Sequence, residues 1–431
     1  MSKATMHGTA APIERAVLVY INQEEDEDTT VEAELEGLCE AAGVEVLASI
    51  RQRLQQPVAS TFLGKGKVEE LKMLAKETEA DLAIFDGELN AVQTRNLADA
   101  LGCRVVDRTQ LILDIFARRA HTREGMLQVE LAQLSYMLPK LMAVYTKFER
   151  QKGGIGLRGP GEQKLETDRR LVRDRIARLK EEIEEVRRVR DQQRAGRRKY
   201  PFPFASIVGY TSAGKSTLMN RLAGTELLAD AMPFATLDPT TRKVDLPEGY
   251  RLFLTDTVGF IRNLPTHLVA AFRATLEEVT FADVVLHVVD LSHPAWEMQR
   301  DAVIETLSKL DALDKPTVTV FNKVDMVADK PSVRRAVAEW PDSVAISALT
   351  GEGTADLLAM LMKQVKGLLG FVRALVPYSD SGLIQACYDY GRVHSVEYFE
   401  EGIYLEAELV VDMRQKLSRY AVPERPDETP R

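Results

Sequence analysis

The run Gly209-Tyr210-Thr211-Ser212-Ala213-Gly214-Lys215-Ser216 constrains the fold of this chain more than any other stretch. It follows Phe204 to Val208, which reads as a strand, and precedes a helix beginning near Thr217. In that strand, loop and helix setting, the backbone from Gly209 to Gly214 turns its amides toward phosphate oxygens. Lys215 can then meet the β and γ phosphates, and Ser216 can coordinate Mg²⁺. The candidate phosphate site is therefore the whole run from Gly209 to Ser216, with Thr217.

Later strand ends carry matching signals. Leu252 to Thr255 leads into Asp256-Thr257-Val258-Gly259, where Asp256 can hold a Mg²⁺-bound water and Gly259 can donate its amide toward the γ phosphate. Thr317 to Phe321 ends at Asn322-Lys323-Val324-Asp325, and Val344 to Ile346 ends at Ser347-Ala348-Leu349. Loops at the ends of parallel strands form a ligand crevice. Asp325 offers two acceptors to the N1 and exocyclic amino donors of guanine, an arrangement adenine cannot match, so GTP is favoured over ATP. Asn322 can support the base edge and its loop, Lys323 can cover the ring with its stem, and Ser347-Ala348 can supply a backbone contact.

The chain has 431 residues, 45% of them hydrophobic and 28% charged, which describes a globular protein with substantial cores and length for about three domains. Strand and helix signals alternate from Ala16 to Asp107, predicting an N-terminal parallel α/β domain over 1–141 that carries no glycine fingerprint of its own. An acidic turn is expected at Glu24 to Asp28, and a mostly helical stretch from Thr109 to Leu141. The remaining divisions read as a glycine-rich loop and basic helical linker over 142–200, a P-loop domain over 201–370, and a small C-terminal α+β domain with a polar tail over 371–431. No apolar run approaches the roughly 20 residues of a membrane helix. Integral membrane insertion is not expected, a cytoplasmic address is the default, and a monomer is expected because no dedicated dimer motif is present. Cys39, Cys103 and Cys387 are scattered and read as core residues.

Net charge is -9, yet between Lys147 and Lys199 there are 18 Lys/Arg against 10 Asp/Glu. Five glycines stand between Gly153 and Gly161, and from Glu162 a heptad-like stripe of Leu165, Val172, Ile176, Leu179, Ile183 and Val186 predicts an antiparallel helical arm. Interspersed charges of this kind can simply solubilise a helical hairpin. They also fit phosphate-backbone recognition beside a loop whose backbone approaches closely, with Lys147, Arg150, Lys152 and Arg158 assisting.

The chain resembles the HflX family of ribosome-associated GTPases over nearly its whole length. The resemblance is carried by Gly153 to Glu162 followed by Gln163-Lys164-Leu165-Glu166-Thr167-Asp168-Arg169-Arg170, by the phosphate loop, by Phe234 to Arg242, and by Asp256 to Phe260. It implies Mg²⁺-dependent hydrolysis of GTP to GDP and engagement of the 50S subunit by the N-terminal domain and basic linker. The loop of Gly153, Gly154, Gly156, Gly159 and Gly161, with Arg169 and Arg170 after it, would face ribosomal RNA. The resemblance further implies separation of stalled or idle 70S ribosomes, a stress-response role. Thr236 is the carried-over candidate for the switch threonine that completes the Mg²⁺ shell, with Thr240 and Thr241 as close alternatives. Phe260 stands where many GTPases place a water-orienting glutamine. It is either a packing residue or a switch element, the water positioner is unassigned, and slow intrinsic turnover stimulated by a ribosomal partner is expected. The alternative is a GTP-regulated RNA-binding or RNA-remodelling module acting on another ribonucleoprotein.

Overall fold

The computed structural model describes residues 13–22, 28–54, 56–151, 160–197, 202–224, 232–234, 236–262 and 273–423. They form two compact units, the first made of the described residues up to 182 together with 232–234, the second of the rest.

In the first unit β1 (Glu14–Asn22), α1 (Asp28–Ala41), β2 (Val44–Arg53), α2 (Lys65–Glu77), β3 (Leu82–Phe85), α3 (Ala91–Leu101) and β4 (Arg104–Asp107) alternate as the apolar runs require. The strands form one parallel sheet in the order β2-β1-β3-β4. Every residue of β3 is buried, as its unbroken Leu-Ala-Ile-Phe run demands. Local signals fix the helix ends: Asn90 accepts from the Gln93 amide at 2.9 Å, Gln93 accepts from the Asn90 amide at 3.0 Å, and Gly102 closes α3 at φ +74°. Of the acidic turn expected at Glu24 to Asp28, residues 24–27 lie outside the described residues and Asp28 opens α1.

Thr109 to Leu141 is two helices, α4 (Arg108–Arg119) and α5 (Arg123–Gln151). The chain breaks because Thr122 caps the new helix, its hydroxyl accepting from the Gly125 amide at 3.0 Å. α5 then continues ten residues past Leu141 despite Pro139. α6 (Pro160–Arg197) opens on Pro160-Gly161, which glycine content alone assigns to a loop; a proline in the first turn lacks only an N–H that needs no helical partner. Arg175 binds both carboxylate oxygens of Glu130 at 2.7 and 2.8 Å, tying α6 to α5. Of the heptad-like stripe Leu179 is fully buried, whereas Val172, Ile176, Ile183 and Val186 are half-buried. The side chain of Leu165 is not among those described. Phe234, contributed to this unit from a later stretch, is buried edge-on against Phe116 with centroids 4.6 Å apart.

The second unit contains β5 (Phe204–Gly209), α7 (Lys215–Ala223), β6 (Thr240–Asp245), β7 (Arg251–Asp256), α8 (Arg273–Phe281), β8 (Val284–Asp290), α9 (Trp296–Lys309), β9 (Thr317–Asn322), α10 (Lys330–Glu339), β10 (Ser343–Ala345) and α11 (Thr354–Leu368). Its sheet has the order β10-β9-β8-β5-β7-β6. All pairings are parallel except β6 with β7, because the turn at 246–250 is too short for a crossover and can only make a hairpin. Beyond α11 come β11 (Gly370–Val376), α12 (Gly382–Tyr390), β12 (Arg392–Phe399), β13 (Gly402–Leu409) and α13 (Val411–Leu417), with the strands antiparallel in the order β11-β13-β12. The tip of the β6–β7 hairpin is fastened to this small sheet. Glu248 pairs with Arg392 at 2.6 Å and Lys366 at 3.0 Å, and the Tyr250 hydroxyl donates to Glu408.

His287 sits in the middle of β8, buried, with no partner for its Nε2 among the described residues. Burial, helped by the charges of Arg300 and Lys215, pushes its pKa down from 6.5 to about 4. The unfolded histidine therefore takes up its proton at higher pH than the folded one. Stability from this group is complete above pH 6.5 and is lost as pH falls toward 4, by about 3 kcal/mol over that window. Urea midpoints measured across it should decline less steeply for His287→Asn than for the parent chain. Equal slopes would assign the acid lability elsewhere.

Candidate nucleotide site

β5 ends at Gly209 and α7 starts at Lys215, so residues 210–214 must reverse the chain in a few steps. Gly214 does so at φ +92°, and a Cβ there would lie 2.3 Å from Asn322 Nδ2. That close approach has a purpose: Asn322 Nδ2 donates to the Ala213 carbonyl at 2.8 Å while its Oδ1 accepts from the Ala348 amide at 2.9 Å. One side chain thus joins the phosphate loop to the loop after β10. Lys215 is 6% exposed and donates to the carbonyls of Gly209 at 3.2 Å and Tyr210 at 2.7 Å. Burial lowers its pKa to about 8, with Asp256 pulling the other way.

Three oxygens converge beside it. Ser216 Oγ lies 2.7 Å from Asp256 Oδ2 and 2.8 Å from Thr236 Oγ1, and Thr236 donates to Asp256 Oδ2 at 3.0 Å. Asp256 Oδ1 is buried with no partner among the described residues. Burial raises the Asp256 pKa, opposed by Lys215, Ser216 and Thr236. Hard oxygen donors around one point, with a spare carboxylate oxygen that needs a donor, fit Mg²⁺ carrying its own waters. Thr240 and Thr241 lie on β6 instead, where Thr241 Oγ1 meets Thr255 Oγ1 at 2.9 Å.

After Asp256 the chain folds back on the phosphate loop. The Phe260 amide donates to the Gly209 carbonyl at 3.0 Å, and its carbonyl accepts from the Thr211 amide at 2.8 Å. A Cβ on Gly259 would stand 2.9 Å from Thr211 Cα and 3.0 Å from Lys215 Nζ. The ring of Phe260 is buried, so in this arrangement the residue packs and latches the segment through its backbone.

At the base end, Lys323 adopts φ +63° and pairs with Asp290 at 2.6 Å, while Asp325 is exposed. Ser347 Oγ accepts from the Thr350 amide at 3.1 Å, turning its loop. Sequence reading missed Asp290, although its place at the end of the apolar β8 run marks it as a strand-end carboxylate. It also missed Arg221 on α7, which donates from Nε to the Ala348 carbonyl at 3.2 Å and carries no motif signal.

The basic-linker candidates are placed unevenly. Lys152, Gly153, Gly154, Gly156, Arg158 and Gly159 lie outside the described residues. Lys147 and Arg150 fall in the last turns of α5, with undescribed side chains, and Gly161 falls in the first turn of α6. Arg169 lies 3.7 Å from Glu166, and Arg170 is exposed on the same helix.

The sheet that presents these loops is that of the P-loop GTPases. Family models agree along most of the chain: "GTP-binding GTPase N-terminal" matches residues 30–117, "GTP-binding GTPase Middle Region" 119–197 and "50S ribosome-binding GTPase" 204–323. The chain is 47% identical to the GTPase HflX of Lacrimispora saccharolytica over 395 residues, spanning 91% of this chain and 93% of that one. It is 46% identical to the GTPase HflX of Escherichia coli K12 over 355 residues, 82% and 83% of the two chains. The chain belongs to the HflX family of GTPases, and it is an enzyme that hydrolyses GTP to GDP and phosphate. Among the described residues no helix is long and apolar enough to cross a membrane.

Proposed function

We propose that this chain couples Mg²⁺-dependent GTP hydrolysis to binding of the 50S ribosomal subunit, and that it separates or rescues stalled 70S ribosomes. The observation that carries the reading is the meeting of Thr236 with Ser216 and Asp256. It puts a residue of the segment after α7 at the same point as the strand-end carboxylate, so one ligand can order both segments. In this reading Gly209 to Thr217 bind the phosphates, with Lys215 supplying positive charge. Ser216 and Thr236 coordinate Mg²⁺, and Asp256 holds it through water. Asn322, Lys323, Asp325, Ser347 and Ala348 form the base site. When bound, Mg²⁺ supplies charge neutralisation at the phosphates. Thr236 and Gly259 would then report the last phosphate, and loss of that phosphate would shift the population toward a ribosome-releasing form. The domain division at 141, 200 and 370 assigns ribosome contact to the N-terminal and basic parts and turnover to the third.

The matched family description names a 50S ribosome-binding GTPase. The positive stretch from Lys147 to Lys199, with 18 Lys/Arg against 10 Asp/Glu, supports an RNA-facing surface. Single-turnover hydrolysis at saturating GTP should accelerate on adding purified large subunits, and sedimentation should show 70S particles converted to subunits. An unchanged chemical step, or equal stimulation by an unrelated structured RNA, would favour action on another ribonucleoprotein. Thr236→Ala is expected to weaken Mg²⁺-GTP binding on the order of tenfold while affecting GDP less, because the threonine would complete the metal shell beside the last phosphate. Equal affinities for the variant and parent, measured by calorimetry, would remove Thr236 from the metal shell.

A further inference from the structure

α7 begins at the phosphate loop and ends beside the loop that follows β10. In its last turn Arg221 donates from Nε to the Ala348 carbonyl at 3.2 Å and from Nη2 to the Leu349 carbonyl. The recipient loop is buried at Ser347 and Ala348, where Ala348 joins the core, and opens to solvent beyond them. Leu349 is 70% exposed, Thr350 and Glu352 are exposed, and Gly351 and Gly353 turn the backbone at φ +92° and +72°. Internal hydrogen bonds from Gly351 to the Ser347 carbonyl at 2.8 Å and from Ser347 to the Glu352 carbonyl at 2.9 Å close the loop on itself. They do not fix where it stands relative to the phosphate loop. Beside the core packing of Ala348, two of the described side chains tie it there: Asn322 through the Ala348 amide, and Arg221 through the Ala348 and Leu349 carbonyls.

We propose that Arg221 is a positioning residue for guanine recognition, acting through the Ala348 and Leu349 carbonyls to aim the Ala348 amide at the oxygen on position 6 of the purine. The inference rests on the GTPase reading of the site and deepens it. A planar guanidinium presents several donors in a fixed fork, so engaging two successive carbonyls sets two peptide planes at once, which a lysine cannot reproduce. Direction matters at position 6, where guanine carries an acceptor and adenine a donor. The Ala348 amide already donates to Asn322 Oδ1, so a purine oxygen must share or take over that donor. The Ala348 N–H lies in the Ser347–Ala348 peptide, one plane before the two that Arg221 holds, so Arg221 restrains its direction through the Ala348 Cα while the partner changes. Asp325 faces the N1 and amino donors, beside position 6 but distinct from it, so the two contributions separate experimentally.

The test compares GDP, 6-thio-GDP and IDP binding to the full chain carrying Arg221→Ala, Arg221→Lys or no change. The thio nucleotide weakens the acceptor at position 6 and keeps the donors, whereas IDP keeps the acceptor and lacks the amino group. Arg221→Ala is expected to weaken GDP about tenfold and to shrink the preference for GDP over 6-thio-GDP toward one, with the preference for GDP over IDP intact. Arg221→Lys should restore part of the first preference. Equal losses for GDP and 6-thio-GDP would mean that Arg221 only supports the loop's fold, and unchanged affinities would mean it does nothing here; either result overturns the assignment. Should Arg221→Ala not fold, Arg221→Gln, which keeps a donor, is put through the same comparison and judged by the same ratios. A parent chain that failed to prefer GDP over ADP would instead defeat the guanine-site reading itself.

Discussion

Asp325→Asn is expected to lower GTP affinity by roughly 10²–10³-fold and to raise affinity for XTP by a comparable factor. The reason lies in donor polarity. A carboxylate presents two acceptors to the N1 and amino donors of guanine, whereas an amide turned toward the same edge presents one acceptor and one donor. The donor then faces the guanine amino group, but it meets a carbonyl in xanthine. Asp325 is exposed, so the substitution should leave the fold alone and move only selectivity. Equilibrium titration with GTP, XTP and ATP reads the exchange directly. An unchanged GTP constant, or a loss with no gain for XTP, would place base recognition elsewhere.

Lys215→Ala is expected to cost about the same in triphosphate affinity, roughly 10²–10³-fold, through a different mechanism. The ammonium is buried against the Gly209 and Tyr210 carbonyls, and burial has already lowered its pKa to about 8. Burial therefore makes the ammonium costly, Asp256 offsets part of that cost, and a bound phosphate would supply further counter-charge. Two results should follow together. Without nucleotide, the variant's thermal midpoint should equal or exceed that of the parent, because a costly buried charge is gone. With GTP added, the parent's midpoint should rise and the variant's should not. A variant destabilised when free but stabilised normally by GTP would make Lys215 a structural residue.

How legible this protein is from its sequence depends on the range of the forces involved. Most strands of the two large sheets are apolar runs punctuated by glycine and polar residues, so β1 to β4 and the strands bearing the phosphate, carboxylate and base loops emerge from local pattern. The break at 120–122 was not legible, because a single threonine cap outweighs high helix propensity on either side. β6 escaped for another reason. Its Thr-Thr-Arg-Lys-Val-Asp sequence is polar, and it is a strand only because β7 offers an antiparallel edge. At the site, residues fixed by spacing along the chain were visible. Asp290 and Arg221 were not, since each acts on a loop distant in sequence. The same holds for the ties from Glu248 and Tyr250 to Arg392 and Glu408 across the hairpin tip. Thr236 is intermediate: the family motif nominated it among three threonines, and its approach to Ser216 and Asp256 separates it from the two on β6.

In the proposed function the last phosphate of GTP changes what the chain offers to the ribosome. The most direct measurement is sedimentation of the full chain with purified large subunits at fixed Mg²⁺ and salt, in the presence of a non-hydrolysable GTP analogue, GDP or no nucleotide. Co-sedimentation strong with the analogue and weak with GDP is the predicted result; equal binding in all three conditions would contradict it.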